Sequence, residues 1–98
     1  MVRVVYRWRV ANEDFPAFRE AWQAATNRIH ETVPGALGSF MLRAFDDQSE
    51  VITIAKWTSR EAWERFWDQA DPRAMRTMRT LGERLSAELF EEIEDYTR

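Results

Sequence analysis

Apolar and polar residues alternate along residues 2–10, and this period of two predicts a β-strand. One face of the strand is rich in arginine, because Arg3, Arg7 and Arg9 fall there beside Val5. The opposite face is apolar and carries Val4, Tyr6, Trp8 and Val10.

A spacing of three and four residues replaces this alternation after residue 14 and predicts a long amphipathic helix. Asn12 or Asp14 can cap the helix, and its first turn tolerates Pro16. Pro34 and Gly35 end it. The apolar stripe consists of Phe15, Phe18, Trp22, Ala25, Ile29 and Val33.

Two apolar segments, residues 38–45 and 50–57, flank the turn sequence DDQS and predict a β-hairpin. Asp46 and Asp47 are interpreted as turn residues rather than as a pair of metal ligands. A sheet with one hydrated face would alternate cleanly between apolar and polar residues, but both strands carry apolar residues on both faces. We therefore expect both faces to be covered. One face carries Phe40, Leu42, Ile52 and Ile54, and the apolar residues of the other face are Met41, Phe45, Val51, Ala55 and Trp57.

The sequence TSRE at 58–61 forms a capping box, in which the Thr58 hydroxyl accepts from the Glu61 N–H at the start of a second helix. One side of that helix carries Ala62, Trp63, Phe66, Trp67 and Ala70. Asp71 and Pro72 then start a third, short helix. Its apolar positions are Met75, Met78, Leu81 and Leu85.

The last segment fits two interpretations, because Leu81, Leu85 and Leu89 have helical spacing although residues 88–97 can also form a strand. The element order β-α-β-β-α before it decides for the strand, since that order is the ferredoxin-like motif and needs a fourth strand beside the first. We therefore predict an α+β fold with an antiparallel sheet. Cross-strand ion pairs are expected between Arg3, Arg7, Arg9 and the acidic residues Glu92, Glu94 or their neighbours.

The composition indicates one globular domain and excludes several classes of function. The 98 residues correspond to one domain, 1–98, that is 45% hydrophobic and 32% charged, as in a globular protein. No apolar run reaches the roughly 20 residues that span a bilayer, and the arginine-rich start is not a signal peptide. The absence of cysteine excludes thiolate catalysis and disulfides and fits a cytoplasmic protein. A net charge of −3 gives no general attraction to nucleic acid.

Recognisable catalytic and metal-binding patterns are missing. The sequence has no G-x-S-x-G, P-loop, G-x-G-x-x-G or CxxC motif, so nucleophilic catalysis, nucleotide binding and zinc binding lack support. His30 is the only histidine, at the flank of the first helix, and a surface role is expected for it. No metal site is predicted.

Aromatic residues are concentrated in KWTSREAWERFW, residues 56–67. One interpretation is a ligand pocket between the sheet and its helices, since such pockets are mostly apolar. The other is an ordinary core, to which each buried ring contributes roughly 1.5–3 kcal/mol. The rings concerned are Trp8, Trp57, Trp63, Phe66 and Trp67.

The segments PGALGSFMLR, ITIAKWTSREAWERF and ADPRA resemble the antibiotic biosynthesis monooxygenase family. This family consists of small α/β-barrel dimers and includes quinone-forming oxygenases without a cofactor as well as haem-degrading oxygenases. The resemblance implies a homodimer that joins through its sheets. It places Trp57 in a pocket, with Trp63 in place of a tyrosine and Thr53 in place of an asparagine.

The haem-degrading branch fits less well. Its asparagine, tryptophan and iron-binding histidine would fall on Trp8, Phe66 and Arg76, and all three differ. The resemblance therefore implies no cofactor, with haem binding as an alternative.

The expected function is a cofactor-independent monooxygenase that uses dioxygen on a small, electron-rich aromatic substrate, of phenol, hydroquinone or polyketide type. Trp57 and Arg76 are the candidate catalytic residues. Arg76, or alternatively Arg73 or Arg79, could hold a phenolate. No general base is identified. A dimeric ligand-binding module without enzyme activity remains an alternative. The expected substrate-binding residues are Trp8, Thr53, Trp57, Trp63, Phe66 and Trp67.

Overall fold

The computed structural model describes residues 1–68 and 73–97. Four strands and three α-helices follow one another in the order β-α-β-β-α-α-β, and a short 3-10 turn, Asn12–Asp14, precedes the first helix. The predicted α+β ferredoxin-like fold is confirmed. The elements are β1 Val2–Arg9, α1 Phe15–Thr32, β2 Ala36–Arg43, β3 Glu50–Trp57, α2 Arg60–Asp68, α3 Arg73–Leu81 and β4 Glu83–Glu91.

All neighbouring strands of the sheet are antiparallel, in the order β2-β3-β1-β4. Val5 in the central strand β1 lies opposite Ile54 of β3 and Glu88 of β4. The predicted pairing of the last strand with the first is therefore confirmed. An irregularity between Arg7 and Trp8 shifts the β1–β4 register by one residue.

The position of the last strand differs from the prediction of 88–97. β4 spans Glu83–Glu91, so Leu85 belongs to a strand and not to the apolar stripe of α3. The Gly82 N–H donates the last helical hydrogen bond, to the Met78 carbonyl at 2.9 Å, and the chain after it pairs with the whole length of β1. Long-range pairing thus overrides the local helical spacing of the leucines.

The cap of α2 also differs from the prediction. Ser59, rather than Thr58, caps the helix, because its Oγ accepts the Ala62 N–H at 3.1 Å. The helix begins one residue later than the TSRE pattern suggested. Thr58 instead donates its backbone N–H to the Gly35 carbonyl at 2.9 Å and so joins the ends of β2 and β3.

The helices cover one face of the sheet, and the core lies between them. Trp8 and Val51 of the sheet and Phe18 of α1 are completely buried there. Within the parts of the chain that the structure describes, no helix is long and apolar enough to cross a membrane. The sheet residues of this core are Val4, Tyr6, Trp8, Val51, Thr53 and Trp57, and the helical ones include Phe18, Ala25, Ala62, Trp63, Phe66, Met75 and Met78.

The opposite face of the sheet, here called the back face, carries an apolar patch that no element within residues 1–68 and 73–97 covers. Phe40 and Leu42 of β2 are 45% and 50% exposed, and they pair with Ile54 and Ile52 of β3. Val5 extends the patch onto β1. The apolar character on both faces, predicted from the hairpin, is therefore present, and the helices cover only one of these faces.

The arginine-rich side of β1 forms ion pairs toward β4 and the tail. Arg3 Nε lies 2.7 Å from Glu92 Oε1, and Arg7 Nε lies 2.9 Å from Glu88 Oε1. The predicted cross-strand pairing is confirmed for these two arginines. Arg9 instead donates to the Ser49 hydroxyl at 3.2 Å.

Candidate active site

An open cleft lies between the helices and the core face of the sheet, and the space in and around it, open solvent included, is about 490 Å³. Its walls are mostly apolar, and its few hydroxyl groups come from Tyr6, Thr26, Ser39 and Thr53. Side chains of helices α1 and α3 close the cleft on the side opposite the strands. The apolar walls include Trp22, Ala25, Ile29, Ala36, Ala55, Trp57, Phe66, Met75 and Met78.

Three of the residues expected to bind substrate line this cleft: Thr53, Trp57 and Phe66. Trp57 is the last residue of β3 and is 3% exposed, and its ring centre lies 5.3 Å from that of Phe66. Strand β3 ends where α2 begins, so the two rings meet at the junction of sheet and helix. Their role in binding stays a prediction.

Trp8 lies in the core and does not appear in the wall of the cleft. It is completely buried and meets the Phe18 ring edge-on, with 5.1 Å between ring centres. Its indole N–H donates to Thr53 Oγ1 at 3.2 Å. Trp8 therefore affects the cleft indirectly, through its hydrogen bond to the Thr53 hydroxyl.

Trp63 and Trp67 pack behind Tyr6 rather than in the wall of the cleft. The Trp63 N–H donates to the Tyr6 hydroxyl at 2.9 Å, and the two indoles stack at 5.2 Å. Trp67 also stacks on Tyr6 at 5.9 Å, and the Arg84 guanidinium lies 4.6 Å above its ring centre. These four side chains form one cluster, of which only Tyr6 lines the cleft.

Tyr6 is the functional candidate that the sequence reasoning missed. The alternation of β1 placed it on the apolar face, but only the structure shows a phenol facing the cleft. Burial raises the pKa of Tyr6 to about 12, and the hydrogen bond from Trp63 and the charge of Arg84 oppose this shift. The phenol is therefore protonated at neutral pH and acts as a hydrogen-bond donor.

The remaining sequence candidates lie at or beyond the mouth of the cleft. His30 is exposed, as expected, but it also lines the rim of the cleft. Arg76 is exposed on α3 and is not part of the lining. Asp47 belongs to a turn, where it accepts hydrogen bonds from Ser49, and these lower its pKa.

A resident metal or haem is poorly supported by the residues present. Among residues 1–68 and 73–97, no three His, Cys, Asp or Glu side chains come together in a way that could hold a metal ion. The family resemblance places the haem ligand on Arg76, and a guanidinium offers no lone pair to iron. His30, the only histidine of the sequence, is exposed and is the one imidazole among the residues that line the cleft.

The arrangement suits a flat, apolar ligand that carries oxygen. Aromatic and aliphatic side chains cover the planar part of such a ligand, and a few hydroxyl groups fix its orientation.

Comparison with known proteins places the chain among small oxygenases. A family model described as antibiotic biosynthesis monooxygenase matches residues 1–78. A comparison with curated protein sequences finds no match.

Solved structures share the fold at low sequence identity. A mutant form of SnoaB, a cofactor-independent oxygenase from Streptomyces nogalater, superposes with a TM-score of 0.77 at 22% identity over 99% of this chain and 97% of that chain. A conserved protein of unknown function from Bacteroides thetaiotaomicron gives 0.76 at 16% identity, over 93% and 96% of the two chains. The Rv0793 protein from Mycobacterium tuberculosis gives 0.69 at 16% identity, over 98% of both.

Proposed function

The chain belongs to the antibiotic biosynthesis monooxygenase family, and from this membership we propose that it is a cofactor-independent monooxygenase of small, electron-rich aromatic compounds such as phenols and hydroquinones. The observation that carries the substrate class is the aromatic cleft, in which Trp57 and Phe66 face a space with few hydroxyl groups. The similarity to SnoaB, which is described as cofactor-independent, supports the absence of a cofactor.

The chemistry needs little from the protein. A phenol with a free carbon opposite its hydroxyl reacts with one O₂ to give a quinone and one water, so the substrate supplies all the electrons. The phenolate passes an electron to dioxygen, an oxygen atom bonds to the ring carbon, and loss of water leaves the carbonyl. The protein contributes by orienting the ring, favouring the anion and excluding solvent.

Oxygen uptake with 1-naphthol tests this proposal, because the product 1,4-naphthoquinone absorbs separately from the substrate. We expect one O₂ consumed per quinone formed. Trp57→Ala should lower kcat/KM by tenfold or more, since the ring loses one wall of its site, and Trp67→Ala should lower it less because Trp67 does not line the cleft.

Stability must be measured on the same variants, since removing a buried tryptophan costs about 3–5 kcal/mol. Trp57→Phe keeps an aromatic wall and should retain most of the activity. Failure of the wild-type protein to accelerate quinone formation over the Trp57→Ala variant would contradict the proposal. Tight 1-naphthol binding without oxygen uptake would instead indicate a ligand-binding module.

Haem degradation is not expected, because Arg76 cannot bind iron and His30 lies only at the rim. With haemin, ascorbate, oxygen and catalase, the Soret band should remain stable in the presence of the protein. His30→Ala should leave that result unchanged. Steady loss of the band at catalytic rates, together with release of iron, would refute cofactor independence.

A further inference from the structure

Two hydroxyl groups that line the cleft are held by indole groups in the same way. Tyr6 and Thr53 are direct cross-strand partners on the core face of β1 and β3. Trp63 donates its N–H to the Tyr6 oxygen at 2.9 Å, and Trp8 donates its N–H to the Thr53 oxygen at 3.2 Å. Each hydroxyl thus uses a lone pair to accept from a tryptophan.

Both hydroxyls act as acceptors in these bonds, and within residues 1–68 and 73–97 neither donates a hydrogen bond to a protein acceptor. A hydroxyl offers one proton and two lone pairs, whereas an indole N–H can only donate. Tyr6 and Thr53 are 5% and 2% exposed, so bulk water is largely excluded from them. Their protons are therefore available to an acceptor that occupies the cleft.

The Tyr6 phenol is also fixed in orientation. Its ring stacks on Trp67, which also contacts the Trp63 indole and the Arg84 guanidinium. The hydrogen bond from Trp63 then fixes the rotation of the phenol oxygen. A donor held in this way loses little entropy when it binds a ligand.

We propose that the Tyr6 and Thr53 hydroxyls donate hydrogen bonds to the oxygen of the aromatic ligand, with Trp63 and Trp8 as positioning residues. This assignment rests on the proposed function and makes Tyr6 a determinant of specificity for phenolates over aromatic hydrocarbons. The pair of donors stabilises the oxygen anion that must form before electron transfer to dioxygen. Because the Tyr6 hydroxyl keeps its proton, the hydroxyl of the bound ligand ionises instead.

The test compares 2-naphthol with naphthalene, which has the same rings and no oxygen. Affinity is measured by equilibrium dialysis, and the pKa of bound 2-naphthol is followed through the naphtholate absorbance band. Tyr6→Phe removes only the hydroxyl. We expect about a tenfold loss of naphtholate affinity and an increase of about one unit in the pKa of bound 2-naphthol, with naphthalene binding unchanged.

Two further variants control for structure. Tyr6→Phe leaves the Trp63 N–H buried without an acceptor, which is itself destabilising, whereas Tyr6→Phe combined with Trp63→Phe removes both partners and should recover stability. The double variant should bind naphtholate as weakly as Tyr6→Phe alone, because the two residues act as one unit. Tyr96→Phe, which changes a tyrosine that is 82% exposed, should behave as the wild type.

The outcomes separate this assignment from the oxygenase activity. An unchanged pKa of bound 2-naphthol in Tyr6→Phe, or an equal loss of naphthalene affinity, would overturn the role of Tyr6 even if oxygen uptake continued. Absence of any 2-naphthol binding by the wild-type protein would also overturn it. The expected pKa shift without oxygen uptake by the wild type would support the donor role and refute the monooxygenase proposal.

Discussion

Single residues set how closely the sheet and α2 approach each other. Gly35 has φ +91°, and a Cβ atom there would lie 2.6 Å from Ala62 Cβ and 2.8 Å from Thr58 Oγ1. Gly38 has φ +109° but no atom within 4 Å of such a Cβ. Both glycines adopt the left-handed conformation, but only Gly35 also lies against the start of the helix that carries Trp63 and Phe66.

Alanine at these two glycines should separate backbone strain from steric conflict. Gly38→Ala should lower the free energy of unfolding by about 1 kcal/mol, the cost of a positive φ alone. Gly35→Ala should lower it by about 2–4 kcal/mol, because Ala62 must also move. Urea denaturation at one fixed protein concentration measures both, and equal losses would show that the approach of α2 is not constrained at Gly35.

At the scale of elements, the β1–β4 pairing joins the two ends of the chain. The sheet ladder is reinforced by Arg7–Glu88, in which the guanidinium holds the pKa of Glu88 below its ordinary value of 4.5. The Ser86 hydroxyl also donates to the Glu88 carboxylate and acts in the same direction. The Glu88 carboxylate is exposed, so the contribution of this pair to stability is small.

The direction of the Glu88 shift predicts an acid dependence of stability. When the pKa of a carboxyl group is lower in the folded state than in the unfolded state, the group stabilises the fold at pH values above its unfolded-state pKa. This contribution is lost as the pH falls through the pKa of the folded state. Glu88→Gln should therefore lower the urea midpoint at pH 7, and the difference from wild type should shrink as the pH falls below 4.5. Glu20→Gln, on an exposed position of α1, is the matched control. A difference that stays constant as the pH is lowered would contradict an electrostatic origin.

At the scale of the whole molecule, the uncovered back face is the feature that one chain cannot account for. Phe40 and Leu42 are about half exposed there, paired with Ile54 and Ile52. Phe90 of β4, opposite Arg3, is also about half exposed. Exposed apolar patches of this kind are unusual in a monomer and mark interaction surfaces. A second copy of the sheet offers the same apolar patch, so we propose that the chain forms a homodimer through this face.

Ile54→Asp tests the dimer, since it places a charge in the middle of the apolar patch. Sedimentation should show a dimer for the wild type at micromolar concentration and a monomer or an unfolded chain for Ile54→Asp. Ala24→Asp introduces the same charge on an exposed position of α1 and should remain dimeric. A monomeric wild type, or a dimeric Ile54→Asp variant, would disprove the interface.

The sequence by itself determined most of the fold. Alternation assigned the apolar face of β1, the helical stripe defined α1, and β3 was predicted with its observed bounds of Glu50–Trp57. These predictions succeed because the period of apolar residues follows directly from backbone geometry. The family resemblance, dense between Val33 and Trp67, came from the same local pattern.

Tertiary structure alone decided the start of β4, the cap of α2 and the arrangement of the aromatic rings. Leu85 has helical spacing but joins a strand, because pairing with β1 outweighs local preference. The apolar pattern left open whether Trp8 and Trp67 would face the cleft, since an apolar ring suits a core and a pocket alike, and the structure places neither in its lining. Only the packing of helices on the sheet leaves the Tyr6 hydroxyl buried beside an open space, because burial depends on contacts distant in sequence.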